Sequence, residues 1–203
     1  MPTSKSSRSW LKEHFSDYYV KKAQQEGYRS RAIYKLQEID IRDNLFKPGM
    51  TIIDLGAAPG SWSQWLIKRV GKKGRVIALD ILPIEPILGV ESIQGDFTIE
   101  SVLLNMTTRL AGKKVDWVVS DMAPNMSGIE SVDQTRSMYL AELAFDFAKE
   151  VLSEQGGLLV KAFQGSGFDE FLTTVRQYFK KVVIRKPKAS RDRSNEVYLL
   201  AKT

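Results

Sequence analysis

From Thr51 onward the chain alternates short apolar runs with longer amphipathic segments, and few folds accept that alternation. The runs "TIIDL", "GRVIALDI", "VESIQGDF", "VDWVVSDM" and "GGLLVKAF" read as strands. The segments between them, "GSWSQWLIKRV", "IESVLLNMTTRLAG", "VDQTRSMYLAELAFDFAKEVL" and, after the last run, "FDEFLTTVRQYF", read as helices. Strands separated by helices pair in parallel, with the helices crossing over both faces of the sheet. Two closing strands, "KVVIRKP" and "EVYLLAKT", are joined by a basic loop too short for a crossover helix, so they run antiparallel. Ahead of the first strand, "SRAIYKLQEIDIRDNL" reads as a helix with Ile33, Leu36 and Ile39 on one face, broken by "KPGM". The expected fold is α/β: a mostly parallel sheet with one antiparallel strand near the C-terminus and helices on both faces.

At 203 residues and 43% apolar content, the chain suits one domain with a short appendage. Residues 1–31 form a basic N-terminal extension, and residues 32–203 the domain. No run of ~18 apolar residues suggests a membrane span. The N-terminus lacks the apolar core of a signal peptide. There is no cysteine, which fits a reducing cytoplasm, and the single histidine, His14, reads as a surface residue. A metal site is therefore not expected. The net charge of +6 favours an anionic partner such as nucleic acid. Two basic segments could supply the contact. One interleaves Lys5, Arg8, Lys12, Lys21, Lys22, Arg29 and Arg31 with Trp10, Phe15, Tyr18, Tyr19 and Tyr28. The other holds Arg185, Lys186, Lys188, Arg191 and Arg193. Cations would neutralise phosphates and tyrosines could stack on exposed bases.

Ligands of doubly wound sheets sit beyond the C-terminal strand ends, which is where "DLGAAPG" lies. Gly56 and Gly60 admit backbone torsions and a close approach that a Cβ would block. Pro59 stands just before the helix, where a missing N–H costs little. The loop is neither a P-loop nor a dinucleotide fingerprint. Asp54 opens it, and a carboxylate there repels pyrophosphate but suits a cationic ligand. The next strand ends in Asp80, roughly 20 residues on, placed for ribose hydroxyls. A third ends at Asp96 and Phe97, offering a carboxylate and an aromatic face for a base, and a fourth at Asp121. Adenosine with a cationic tail and no phosphates describes S-adenosylmethionine.

Lys161 stands near the end of the otherwise apolar strand "GGLLVKAF", on the same rim as Asp121. Burial beside another cation would lower a lysine's pKa and make it a usable base. Lys35 could be that cation, and Asp121 and Glu196 could hold the two lysines. Spacing alone does not assemble these four.

"SRAIYKL", "DLGAAPGSWSQ", "SDMAPNMSG", "VKAFQG" and "SRDRSNEVYLLA" resemble, in order and over nearly the whole chain, the FtsJ/RrmJ family of RNA 2'-O-ribose methyltransferases. The resemblance implies a Rossmann-like class I methyltransferase domain with a catalytic tetrad of Lys35, Asp121, Lys161 and Glu196. It also implies a donor site at Gly60, Trp62, Asp80, Asp96 and Asp121, with S-adenosylhomocysteine as product and no metal. Ser61 departs from the second glycine of some relatives, at little cost because serine is small. The implied acceptor is a uridine ribose in the A-loop of large-subunit (23S) ribosomal RNA in the assembled subunit. The implied enzyme is a cytoplasmic monomer with ribosomal RNA, and no membrane, as partner. Cap-type messenger-RNA 2'-O-methylation and a non-catalytic RNA-binding module are the alternatives.

Overall fold

The structure, a computed structural model, describes residues 17–191 and 194–203. Lys5, Arg8, Trp10, Lys12, His14, Phe15 and Arg193 lie outside the described residues. Six helices are described: α1 (Tyr18–Gln25), α2 (Ile33–Asp43), α3 (Ser61–Val70), α4 (Glu100–Leu110), α5 (Glu130–Val151) and α6 (Phe168–Tyr178). The strands are β1 (Thr51–Leu55), β2 (Arg75–Asp80), β3 (Val90–Gln94), β4 (Val115–Ser120), β5 (Leu152–Phe163), β6 (Lys181–Arg185) and β7 (Glu196–Lys202). They form one seven-stranded sheet in the order β3-β2-β1-β4-β5-β7-β6. The first five strands are parallel, and β7 runs antiparallel to both its neighbours, β5 and β6. The expected fold is the observed one.

Period-two alternation divides the side chains between two cores. Ile53, Leu55, Val118, Leu158, Val160, Val197 and Leu199 face α4, α5 and α6. Ile52, Trp117, Leu159, Tyr198 and Leu200 face α2 and α3. Lys161, two residues after Leu159, is thereby aimed towards the α2 side. Asp40 ties α2 to α3. Fully buried, it accepts the Leu45 and Phe46 amides at 3.1 Å and the Trp65 indole N–H at 2.9 Å. The Arg69 Nε lies 2.8 Å from the same carboxylate, so its charge is compensated.

Residues 17–31, expected as part of an extension, are packed on the domain. Ala23 of α1 is buried with Ile33, Tyr34 and Ala189, and Tyr19 and Tyr28 lean on that cluster. The Arg31 guanidinium bonds Asp17 and the Ala189 carbonyl, joining this segment to the β6–β7 loop.

Candidate active site

The tips of β1, β2 and β3 carry the acid rim. Asp54 is fully buried beneath the glycine loop. Its Oδ2 accepts the Ser63 hydroxyl at 2.6 Å, and its Oδ1 has no protein partner. Burial pushes this carboxyl up to about 7, and the nearby Asp121 and Asp80 carboxylates push the same way against the Ser63 bond. A buried acid with an orphaned oxygen gains from a cationic ligand. Asp80 accepts the Ala58 amide and the Leu82 amide, both at 2.8 Å, so it fixes the glycine loop and the loop after β2. Asp96, two residues past β3, takes the Thr98 amide at 2.9 Å and the Thr98 hydroxyl at 2.7 Å. These bonds hold it below the usual carboxylate range.

The two loop glycines serve different ends. Gly56 has φ +74°, and a Cβ on it would lie 2.8 Å from the Met122 amide nitrogen. The close approach it permits is therefore that of the chain leaving β4, not of a ligand. Gly60 has φ +109°, and a Cβ there would lie 2.7 Å from Ile87 and 2.9 Å from the Arg29 guanidinium. Arg29 donates to the carbonyls of Pro59 (2.9 Å), Glu85 (2.7 Å) and Pro86 (3.0 Å). It laces the glycine loop to the loop after β2.

Lys161 and Asp121 meet at the tips of β5 and β4. The Lys161 Nζ donates to the Asp121 carbonyl at 2.6 Å and lies 3.1 Å from its Oδ1. Lys161 is only 8% exposed, so this ammonium does not snorkel into bulk water. The Tyr198 hydroxyl donates to Asp121 Oδ1 at 2.7 Å. Burial alone would push the Asp121 carboxyl up. The Lys161 and Lys35 charges, with the Tyr198 bond, outweigh it and hold the group below its ordinary value. Burial and the facing Asp121 and Glu196 push the Tyr198 phenol well up, so it stays protonated and keeps the proton it donates to Asp121. Lys35, from α2, forms an ion pair with both Glu196 oxygens, at 2.7 and 2.8 Å, and Ser190 donates to Glu196 at 2.9 Å. The four residues assembled by resemblance are thus two adjoining ion pairs on one rim.

The family model for FtsJ-like methyltransferases matches residues 28–203. The chain belongs to the FtsJ-like methyltransferase family. It is 60% identical over 202 residues to the ribosomal RNA large subunit methyltransferase E of Hydrogenovibrio crunogenus, covering 100% of this chain and 98% of that one. It is 61% identical over 195 residues to the protein of the same name from Methylobacillus flagellatus, covering 96% and 94%. Among solved structures, one described as a ribosomal RNA methyltransferase from Plasmodium falciparum superposes with a TM-score of 0.77 at 32% identity, covering 87% of this chain and 98% of that one.

In this FtsJ-like methyltransferase two expected donor contacts look different in three dimensions. The Trp62 ring is buried against Tyr198, 5.8 Å between centroids, and its Nε1 donates to the Ala32 carbonyl at 2.8 Å. What Trp62 can offer at the rim is its main-chain N–H, in the first turn of α3 where helix amides lack intrahelical partners. Phe97 is only 4% exposed and stacks edge to face on Phe147 at 5.5 Å, so its ring is core and offers no open face to a base. Arg185, expected to meet phosphate, is clamped by both oxygens of Asp43 at 2.8 and 2.6 Å. Arg29 and Arg31 are likewise engaged with protein acceptors. Tyr198 and Ser190 were not anticipated, and Arg29, expected on RNA, was not anticipated on the glycine loop. Tyr198 had a signal, because it stands two residues after Glu196 in a strand and so shares its face. Arg29 had none, because its three acceptors come from two remote loops. No described helix is long and apolar enough to cross a membrane.

Proposed function

We propose that this protein transfers a methyl group from S-adenosylmethionine to a ribose 2'-hydroxyl of large-subunit ribosomal RNA in the cytoplasm, with Lys161 as general base. The observation that carries the reading is the buried Lys161 amine held 2.6 Å from the Asp121 carbonyl and 3.1 Å from its carboxylate, beside the acid rim. The names of the relatives, at about 60% identity over almost their full length, support ribosomal RNA as the acceptor. The finer target, a uridine of the A-loop in the assembled subunit, rests on the family resemblance.

The donor-side residues fit a sulfonium nucleoside. Asp54 offers an unpartnered buried oxygen to the cationic end, Asp80 stands where ribose hydroxyls are met, and Asp96 and Gly60 stand at the same edge of the sheet. When bound, the donor supplies an electrophilic methyl on a charged sulfur. Lys161, in its neutral form, takes the acceptor hydroxyl proton at Nζ as the oxygen attacks. Asp121 orients that amine, and Tyr198 fixes the carboxylate. Lys35, locked by Glu196, sets a positive charge beside the developing alkoxide. Holding acceptor and base in register supplies much of the remaining rate. Residues 32–203 form the catalytic domain, and exposed Lys21 and Lys188 meet phosphates, while the Lys186 ammonium bonds the Ser194 carbonyl.

Lys161→Ala is the direct test. The variant should bind donor by calorimetry as the wild type does, and lose methyl transfer to unmodified large ribosomal subunits. A variant that still methylates the ribose removes the base assignment. Mapping 2'-O-methyl sites in ribosomal RNA from cells with and without the gene identifies the nucleotide.

A further inference from the structure

The sheet order sets where an acceptor must arrive. The acids of the donor rim stand at the tips of β1, β2 and β3, Asp121 at the tip of β4, and Lys161 near the tip of β5. A ribose hydroxyl that reaches Lys161 therefore comes in from the β5 and β7 side, because the other side belongs to the donor. A cavity of about 320 Å³ lies between the first turns of α5, the end of β5 and the residues just before β7, and Lys161 is not in its lining. Its lining includes Phe163 at the end of β5, Asn195 just before β7, Gln134 and Ser137 of α5, and Met126 of the β4–α5 loop. Phe163 faces Glu196 across the β5–β7 ladder and stands two residues from Lys161, about 7 Å along the strand.

The walls are held in place by protein contacts. Asp133 accepts the Ser127 amide at 2.7 Å, the Ser127 hydroxyl at 2.8 Å and the Gly128 amide at 3.0 Å, which pins the loop carrying Met126 to α5. The Gln134 amide nitrogen donates to the carbonyls of Phe163 (3.0 Å) and Ser166 (3.1 Å), so its Oε1 is the atom left to accept. Asn195 is exposed, and its amide offers one acceptor and two donor hydrogens. Met126 is 65% exposed, an apolar side chain presented at the cavity. The lining thus combines apolar surface from Met126 and Phe163 with the amides of Gln134 and Asn195, beside the carboxylates of Glu130 and Asp133, and an unstacked base is held by its faces and read at its edges.

We propose that this cavity takes the base of the methylated nucleotide, turned out of its strand, with Met126 and Phe163 against its faces and Asn195 and Gln134 at its edge. The inference rests on the RNA 2'-O-methylation reading above. It adds that selection of the target base is made by the protein itself, a ribose and a base apart from Lys161.

The test compares wild type with the Met126→Ala/Asn195→Ala variant, both positions being exposed and clear of the two ion pairs. The acceptors are large ribosomal subunits carrying each of the four bases in turn at the methylated position. The wild type should favour one base by about tenfold or more in kcat/KM, as edge-reading amides do. The double variant should bring the four bases to within about twofold, with the donor Kd from calorimetry unchanged. A wild type indifferent to the base, or a double variant that keeps the preference, overturns the pocket while leaving the Lys161 assignment intact. A wild type inactive on all four subunits sinks the RNA reading and the pocket with it.

Discussion

Asp54 should make the stability of this protein fall as pH rises, the reverse of what a paired carboxylate does. Its side chain is wholly buried, and burial raises the carboxyl from an ordinary 3.8 to about 7. Between those two values the folded chain keeps a proton that the unfolded chain has released. Stability then declines with pH, because the native state binds more protons. The stabilising neutral form is fully present below about pH 4 and is lost on passing through about pH 7. At 1.36 kcal/mol per pH unit the full cost is about 4 kcal/mol, of which about 3 kcal/mol develops between pH 4.5 and 8.5. Asp54→Asn is neutral throughout and keeps an acceptor for Ser63. The measurement is urea denaturation of both proteins across that range, taken as a difference so that every other titrating group cancels. The variant should gain about 3 kcal/mol on the wild type from the acid end to the alkaline end. A difference that stays constant within about 1 kcal/mol refutes the argument that burial governs this carboxyl. The same logic reaches the ligand. If the cationic end of the donor pairs with Asp54, binding at pH 6 expels close to one proton, and Asp54→Asn abolishes that release, as calorimetry in buffers of different ionisation enthalpy would read.

The other expectations follow from single contacts. Gly56→Ala should cost about 3 kcal/mol in chemical denaturation, since left-handed strain adds to overlap with the Met122 backbone. Gly71→Ala, at φ +64° and ψ −169°, meets open space but a backbone conformation essentially confined to glycine, and should cost about 2 kcal/mol from strain alone. Arg29→Ala frees the glycine loop from Glu85 and Pro86 and should raise the donor Kd severalfold while leaving the salt dependence of RNA binding alone. Lys21→Ala and Lys188→Ala should each reduce the slope of log affinity against log salt by about 1, whereas Arg185→Ala, whose charge is already committed to Asp43, should not.

Much of this molecule is legible in the order of its residues, and the reason is range. A strand such as "TIIDL", a helix such as "GSWSQWLIKRV" and the turn between them depend on neighbours a few positions apart, so periodicity and glycine placement reveal them without tertiary knowledge. The acids at the strand tips are legible for the same reason, because a parallel α/β sheet brings successive strand ends to one edge. The chemistry of those acids is not. Lys35 and Glu196 are 161 positions apart, Asp121 and Tyr198 are 77 apart, and only the packing of α2 and β7 onto the sheet makes them partners. Burial, too, belongs to the folded state. It turns Trp62 and Phe97 inward, gives Gly56 a backbone neighbour in place of a ligand, and commits Arg29, Arg31 and Arg185 to protein oxygens. Composition sets how many charges a chain carries. Which of them remain for RNA is decided when long-range contacts satisfy the rest, since a charge drawn from water must find a compensating partner.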